Sequence, residues 1–230
     1  MIPTPEELRL VVPRTARLAT LGLEPGVSEV WVVLHGFSQL AARFVRWFAP
    51  AVCPGRAIVA PEALNRYYTD RPAKQVGTTW MTSDDREHEI RDHVEYLDRV
   101  VEDLAARFGP LSLQVHGFSQ GAAMASRWVA MGRVRPARLF LWGGGVPPDL
   151  DLVHYGARLS AAALQLVVGD RDQFISPETV EAQLQRLADA GVRHGLTRFT
   201  GGHVIPWNIL REVAGAAPPS RVVEGLVLGG

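Results

Sequence analysis

The 230-residue chain balances 24 basic against 24 acidic side chains and is 47% hydrophobic and 21% charged, the profile of a single globular domain spanning 1–230. Zero formal net charge argues against a nucleic-acid binder, which carries a basic stripe. No apolar run nears the roughly 18 residues of a membrane span, and the single cysteine, Cys53, excludes an internal disulfide. No secretory leader is evident between Met1 and Gly22, so a cytoplasmic protein is expected.

In chain order, residues 15–20 read as an antiparallel edge strand. Val30 to Leu34 is a continuous β-branched apolar run, as in a strand buried on both faces. A helix is expected over Leu40 to Ala49 and a strand over Ala57 to Ala60. Pro61 to Ser83 shows no clear element and reads as a long loop holding Tyr67, Tyr68, Trp80 and Met81. Asp84 to Phe108 repeats apolar residues at helical spacing (Ile90, Val94, Leu97, Val101, Leu104), with Ser83 or Asp84 as cap and Gly109-Pro110 as stop. Strands follow at Leu111 to Val115, Arg138 to Trp142, Leu164 to Val168 and Leu196 to Thr200. Helices follow at Ala122 to Met131, at Glu178 to Ala190 behind Pro177, and after His203. Val222 to Leu228 is a possible further helix. Strand alternating with helix predicts an α/β fold: a mostly parallel sheet with helices on both faces.

One pentapeptide occurs twice, as His35-Gly36-Phe37-Ser38-Gln39 and His116-Gly117-Phe118-Ser119-Gln120. Each copy follows a predicted buried strand and precedes a helix. Leu40 follows the first copy and Gly121 the second, so only the second completes G-x-S-x-G. A serine at the tip of a tight strand-to-helix turn needs small neighbours two residues to either side. Ser119 is therefore the candidate nucleophile rather than Ser38, whose neighbour Leu40 brings a β-carbon where the turn wants none. At such a turn the residue after the serine gives one N–H to a developing oxyanion, and a loop after an early strand gives the other. Gln120 and Phe37 fill these roles.

A serine hydroxyl needs a base. His154, His194 and His203 lie downstream, and His203 sits in a glycine-rich turn after a predicted strand, the end of an α/β sheet where chemistry collects. His194 precedes that strand, at the wrong end, and His154 lies ahead of the expected acid. Asp170 and Asp172 both follow the strand Leu164 to Val168, and local physics does not separate them: one would orient the imidazole, the other brace the turn.

The segments Leu34-His35-Gly36, Gly117 to Gly121, Gly169 to Pro177 and Gly202-His203 together resemble the small carboxylesterase/phospholipase branch of the α/β-hydrolases, which includes the acyl-protein thioesterases. The resemblance runs from about Val30 to Leu210. It implies an α/β-hydrolase fold of about seven strands without a cap domain. Its acid is the second aspartate of G-x-x-D-x-x-[VI]-x-P, which Gly169, Asp172, Ile175 and Pro177 match, so it assigns Asp172. Two departures stand out: His116 occupies a place before the turn where a small residue is usual, and the polar turn after Gly36 is missing.

The expectation is a serine carboxylic-ester hydrolase with the triad Ser119, Asp172 and His203, and with Phe37 and Gln120 as oxyanion donors. A thioesterase or lysophospholipase-type acyl hydrolase is the alternative within the enzymes. A non-catalytic binding protein on the same scaffold would have no physical need of all three side chains. Tyr67, Tyr68, Trp80, Met81 and Trp207 are the candidate substrate-pocket residues, for a small-molecule ester or acyl substrate. Trp31, Trp47, Trp128 and Trp142 read as core. No cofactor or metal is expected: His88 and His93 are five apart, too far around a helix to share an ion, and read as solvated. Gly143 to Gly145 lacks the frame of a dinucleotide site and reads as a turn. A monomer or homodimer is expected.

Overall fold

The computed structural model describes residues 5–215, so the possible helix over 222–228 lies outside the described residues. The elements are β1 (Leu18–Leu21), β2 (Glu29–Leu34), α1 (Ala41–Phe44), β3 (Arg56–Pro61), β4 (Asn65–Asp70), β5 (Gln75–Thr79), α2 (Arg86–Phe108), β6 (Ser112–Phe118), α3 (Gln120–Met131), β7 (Arg138–Trp142), α4 (Leu152–Ala161), β8 (Leu164–Gly169), α5 (Pro177–Asp189), β9 (His194–Phe199) and α6 (Trp207–Gly215). Seven strands form one sheet in the order β1-β3-β2-β6-β7-β8-β9, with β1 antiparallel to β3 and the other pairings parallel. This is the expected α/β-hydrolase sheet.

The sheet's two faces follow from the two-residue period of a strand. Val30, Val32 and Leu34 point to one side, where they join Leu97 of α2 and Trp128 of α3. Trp31 and Val33 point to the other, where they meet Phe44, Phe48, Ile209 and Leu210. Both sides are covered, so β2 and β3 are buried at every position, and beyond the charged residue that opens each, Glu29 and Arg56, their sequences are apolar runs rather than alternating ones.

The structure corrects four local readings. The helix expected at Leu40 to Ala49 is one turn of α1 that tightens into a 3₁₀-helix over Val45–Ala51, because the Pro50 ring has no N–H and clashes with an α-helical preceding turn. The stretch from Pro61 to Ser83 is no irregular loop: it holds the antiparallel hairpin β4–β5, paired from Asn65↔Thr79 to Asp70↔Gln75 with a register shift at Tyr68/Asp70. That shift and the intervening charges break the alternation that would announce two strands. Helix α2 starts at Arg86 without a side-chain cap; the Asp85 carboxylate takes Arg9 (3.1 Å) and His88 (2.7 Å) instead. His93 is buried rather than solvated. Its Nδ1–H donates to the Glu89 carbonyl (2.7 Å), and its Nε2 accepts the Leu64 N–H (3.0 Å).

Candidate active site

Strand β6 ends at Phe118, α3 begins at Gln120, and Ser119 makes the turn between them alone, at φ 55° and ψ −121°. A non-glycine residue holds such a conformation only where its surroundings over-determine it, at a cost on the order of 1–3 kcal/mol. Here the Ser119 N–H donates to the Trp142 carbonyl (2.9 Å) and the Ser119 carbonyl accepts the Ala122 N–H (2.9 Å). The flanking glycines have a steric reason. A methyl on Gly121 would overlap the Leu34 carbonyl oxygen, and one on Gly117 would lie 2.6 Å from the Cα of Ala122. Helix and sheet are in backbone contact there, and no β-carbon fits.

The first pentapeptide copy also turns through a positive-φ serine, Ser38 at 66°. Its N–H is tied to the Thr78 carbonyl (2.9 Å). The Gly77 backbone of β5 lies so close that a methyl there would stand 2.6 Å from the Ser38 Oγ. The hairpin thus packs on Ser38. Gly36 packs on the other turn: a methyl on it would stand 3.2 Å from the Ser119 Cβ. The two copies are therefore adjacent in space, with the Phe37 and Gln120 backbones beside the serine turn. Neither N–H enters any of the backbone hydrogen bonds of the turns and loops among the described residues. The two glutamine side chains do different work. Gln39 Oε1 accepts the Gly36 N–H (2.7 Å). Gln120 bridges to the hairpin's exit, with Oε1 accepting the Trp80 N–H (3.1 Å) and Nε2 donating to the Met81 carbonyl (2.9 Å).

The ends of β8 and β9 bring the acid and the base together. His203 Nδ1–H donates to Asp172 Oδ2 (2.8 Å), with the carboxylate side chain 1% and the imidazole 13% exposed. Asp172 Oδ1 accepts the Phe174 N–H (2.9 Å). Asp170, the other candidate, is half exposed and accepts the Gly201 N–H (2.9 Å). That bond holds the Asp170 carboxyl below its usual range, ahead of the smaller effect of Arg171. The geometry thus separates the two aspartates: one meets the imidazole, the other braces the turn that carries it. Gly169 lets the 201–202 turn close on β8, since a methyl there would lie 2.6 Å from the Gly202 carbonyl oxygen.

Two features escaped sequence reading. Gly143, at φ +50°, carries the chain from β7 past the imidazole; a methyl on it would stand 3.0 Å from His203 Nδ1 and 3.4 Å from Asp172 Oδ2. Its neighbour Gly144 lies against Ser119, where a methyl would be 2.8 Å from the serine carbonyl oxygen. The β7 exit therefore runs between the serine turn and the His203–Asp172 pair, and the triple glycine was the available signal. The second feature is aromatic. The buried Phe118 ring lies 4.8 Å from the imidazole, centroid to centroid, and the exposed Phe174 ring 4.7 Å from it.

The five candidate pocket residues divide. Trp80 is fully buried, with its indole N–H donating to the His35 carbonyl (2.8 Å) and its ring between those of His35 and His93. Met81 is buried, with its Sδ accepting from Arg127 (3.3 Å). Both are core side chains and line no open surface. Tyr67 is half buried, stacked on the exposed Phe37 ring at 5.6 Å, and its enclosed hydroxyl has no partner among the described residues. Tyr68 and Trp207 are exposed. Among the described residues no cluster of three or more His, Cys, Asp or Glu side chains is arranged to hold a metal ion, and no helix is long and apolar enough to cross a membrane.

His116, the departure before the serine turn, is a packing residue. Its ring is buried and stacks on Trp31 (4.4 Å) and Phe140 (4.9 Å), and Nδ1 accepts the Trp142 indole N–H (3.2 Å). Burial drives its pKa well below the ordinary value, so it stands neutral in the core.

Comparison with known proteins agrees with this frame. A family model described as "Serine hydrolase (FSH1)" matches residues 37–211. No curated protein matches the chain. Among solved structures, acyl-protein thioesterase 2 of Zea mays superposes at a TM-score of 0.68 with 16% identity, covering 87% of this chain and 96% of that one. SOBER1 of Arabidopsis thaliana gives 0.65 at 17% identity, over 82% and 96%. Esterase PE8 gives 0.61 at 23% identity, over 87% and 97%. At these identities the likeness is one of fold.

Proposed function

The chain belongs to the serine hydrolase (FSH1) family, and we propose that it cleaves carboxylic esters through an acyl-enzyme, with Ser119 as nucleophile, His203 as base and Asp172 as its orienting acid. The observation that carries this reading is the 2.8 Å bond from His203 to an almost wholly buried Asp172, at the same sheet edge as a serine held at positive φ. With Nδ1–H committed to the carboxylate, Nε2 is the lone pair left for the serine proton.

Ser119 Oγ bonds to the acyl carbon as its proton passes to His203 Nε2, and the carbonyl oxygen becomes an oxyanion. The Phe37 and Gln120 N–H groups donate to that oxygen, the latter at a helix N-terminus whose dipole favours negative charge. As the carbonyl re-forms, the bond to the leaving alkoxide breaks, and His203 returns the proton to it. Water then repeats the sequence on the acyl-enzyme and frees the acid and the serine. The tetrahedral charge is met by N–H donors and the proton moves between side chains, so the scheme uses only this chain's own groups. The exposed rings of Phe37, Tyr68 and Trp207 favour a small-molecule substrate with an apolar acyl group of short to medium length.

Covalent labelling by a fluorophosphonate tests the assignment. Label should appear on Ser119, vanish in Ser119→Ala and persist in Ser38→Ala, because Ser38 is packed under the hairpin. A label on Ser38, or on neither serine, would reject the mechanism. A panel of p-nitrophenyl esters against acyl thioesters then decides between esterase and thioesterase; equal or better turnover of thioesters would replace the ester reading.

A further inference from the structure

The imidazole of His203 makes contact with two phenyl rings of different character. Phe118 is buried, belongs to β6 and forms part of the sheet's core. Phe174 lies in the connection between β8 and α5 and is 70% exposed, yet its ring stands 4.7 Å from the imidazole at an interplanar angle of 66°. Its backbone is fixed as well, since the Phe174 N–H donates to Asp172 Oδ1 (2.9 Å) while the other carboxylate oxygen receives the imidazole. One residue thus touches both members of the acid–base pair, the carboxylate through its main chain and the imidazole through its ring.

On the reading of the site given above, we infer that Phe174 is a positioning residue: its ring holds the His203 imidazole against Phe118, in line for proton transfer, and keeps water off its outer side. The charged group on this imidazole is the Asp172 carboxylate. Asp170 and Arg171 pair with each other at 3.6 Å on the exposed side of the same connection. From β6 the imidazole meets Phe118, and from the exit of β7 it meets Gly143. A ring that confines the imidazole preserves the alignment on which proton transfer depends.

Phe174→Ala tests the ring alone, because the substitution leaves the backbone N–H on the carboxylate. With p-nitrophenyl acetate, whose acyl group is too short to need an apolar surface, kcat should fall about tenfold while KM stays within about twofold. Phe174→Leu, which keeps an apolar cover, should recover most of the rate. A loss in KM alone would make Phe174 a substrate surface and overturn the inference, as would an unchanged kcat. His203→Ala and Ser119→Ala run beside them: if either turns over normally, the triad itself falls and the clamp with it, whereas dead controls beside an unaffected Phe174→Ala reject the clamp alone.

Discussion

Asp170 and Asp172 differ in one bond each, and that difference sets what each substitution should do. Asp172 accepts from the imidazole, so Asp172→Asn presents an amide that no longer fixes the tautomer and should lower kcat on the order of 10⁴-fold. Asp170 accepts from the Gly201 N–H, so Asp170→Asn loosens the His203 turn and should stay within about tenfold of the parent. Steady-state kinetics of the two variants with one ester checks the pair; comparable losses would mean that the acid is shared or misassigned. The serine turn is as legible as the aspartates were ambiguous. Gly117 and Gly121 announce it because backbone contact admits no β-carbon at either place, and a local steric rule leaves a local sequence mark. Gly143 to Gly145 marks a close approach but not its partner, and the contact of Phe174 with His203 leaves no mark at all, since nothing near either residue in the chain refers to position 203.

At the level of elements, the sheet's buried strands are tied at their starting edge by a polar knot. Glu29 of β2 accepts from Arg56 of β3 (2.5 Å), from the Trp31 indole N–H (2.9 Å) and from Gln114 of β6 (2.8 Å). The Arg56 guanidinium also lies over the Trp31 ring at 4.7 Å. Removing one partner of a buried pair leaves the other charge without compensation. Glu29→Ala should therefore cost about 3–5 kcal/mol in urea unfolding, with little change in the kcat of the protein that stays folded, because the knot lies at the opposite end of β2 from Phe37. A cost under about 1 kcal/mol would show that solvent reaches Arg56. The hairpin β4–β5 was the element least legible in sequence. It pairs only with itself among the described residues; its exposed strand β4 carries Arg66 and Asp70 where a core strand would carry valine, and β5 is a short polar run. What fixes it is long-range: Ser38, Gln120 and two buried histidines.

Across the whole molecule, those histidines set an acid limit on stability. His35 and His93 flank Trp80, and each uses Nε2 to accept a backbone N–H, from Ala63 (3.1 Å) and Leu64 (3.0 Å) respectively. Burial lowers each pKa to about 4, and His116 lies well below its ordinary value for the same reason. Unfolded histidine titrates near ~6.5. Above that pH both states are neutral and stability is at its full value. As the pH falls from there toward 4, the unfolded chain takes up protons that the folded one refuses, so stability is lost, by up to ~1.4 kcal/mol per pH unit for each such histidine. Asp149, held below the usual carboxylate range chiefly by its bond from Arg86, adds its own loss only at more acid pH. The urea midpoint should drop clearly between pH 7.5 and pH 5; a flat midpoint would mean that these imidazoles are solvated in the folded state.

The amino-acid order by itself determined the alternation of strand and helix, the parallel sheet, the serine turn and the histidine turn, because each depends on residues within a few positions of one another. Burial on both faces writes itself as an apolar run, and a forbidden β-carbon writes itself as glycine. Residue patterning left Asp170 and Asp172 open and only a family motif pointed to Asp172; the tertiary structure alone decided that Trp80 and Met81 belong to the core, that the region after Pro61 is a hairpin seated on Ser38, and that Gly143 and Phe174 stand against His203. Those outcomes depend on how the ends of β6, β7, β8 and β9 are juxtaposed, a relation between chain segments that short-range patterning does not encode.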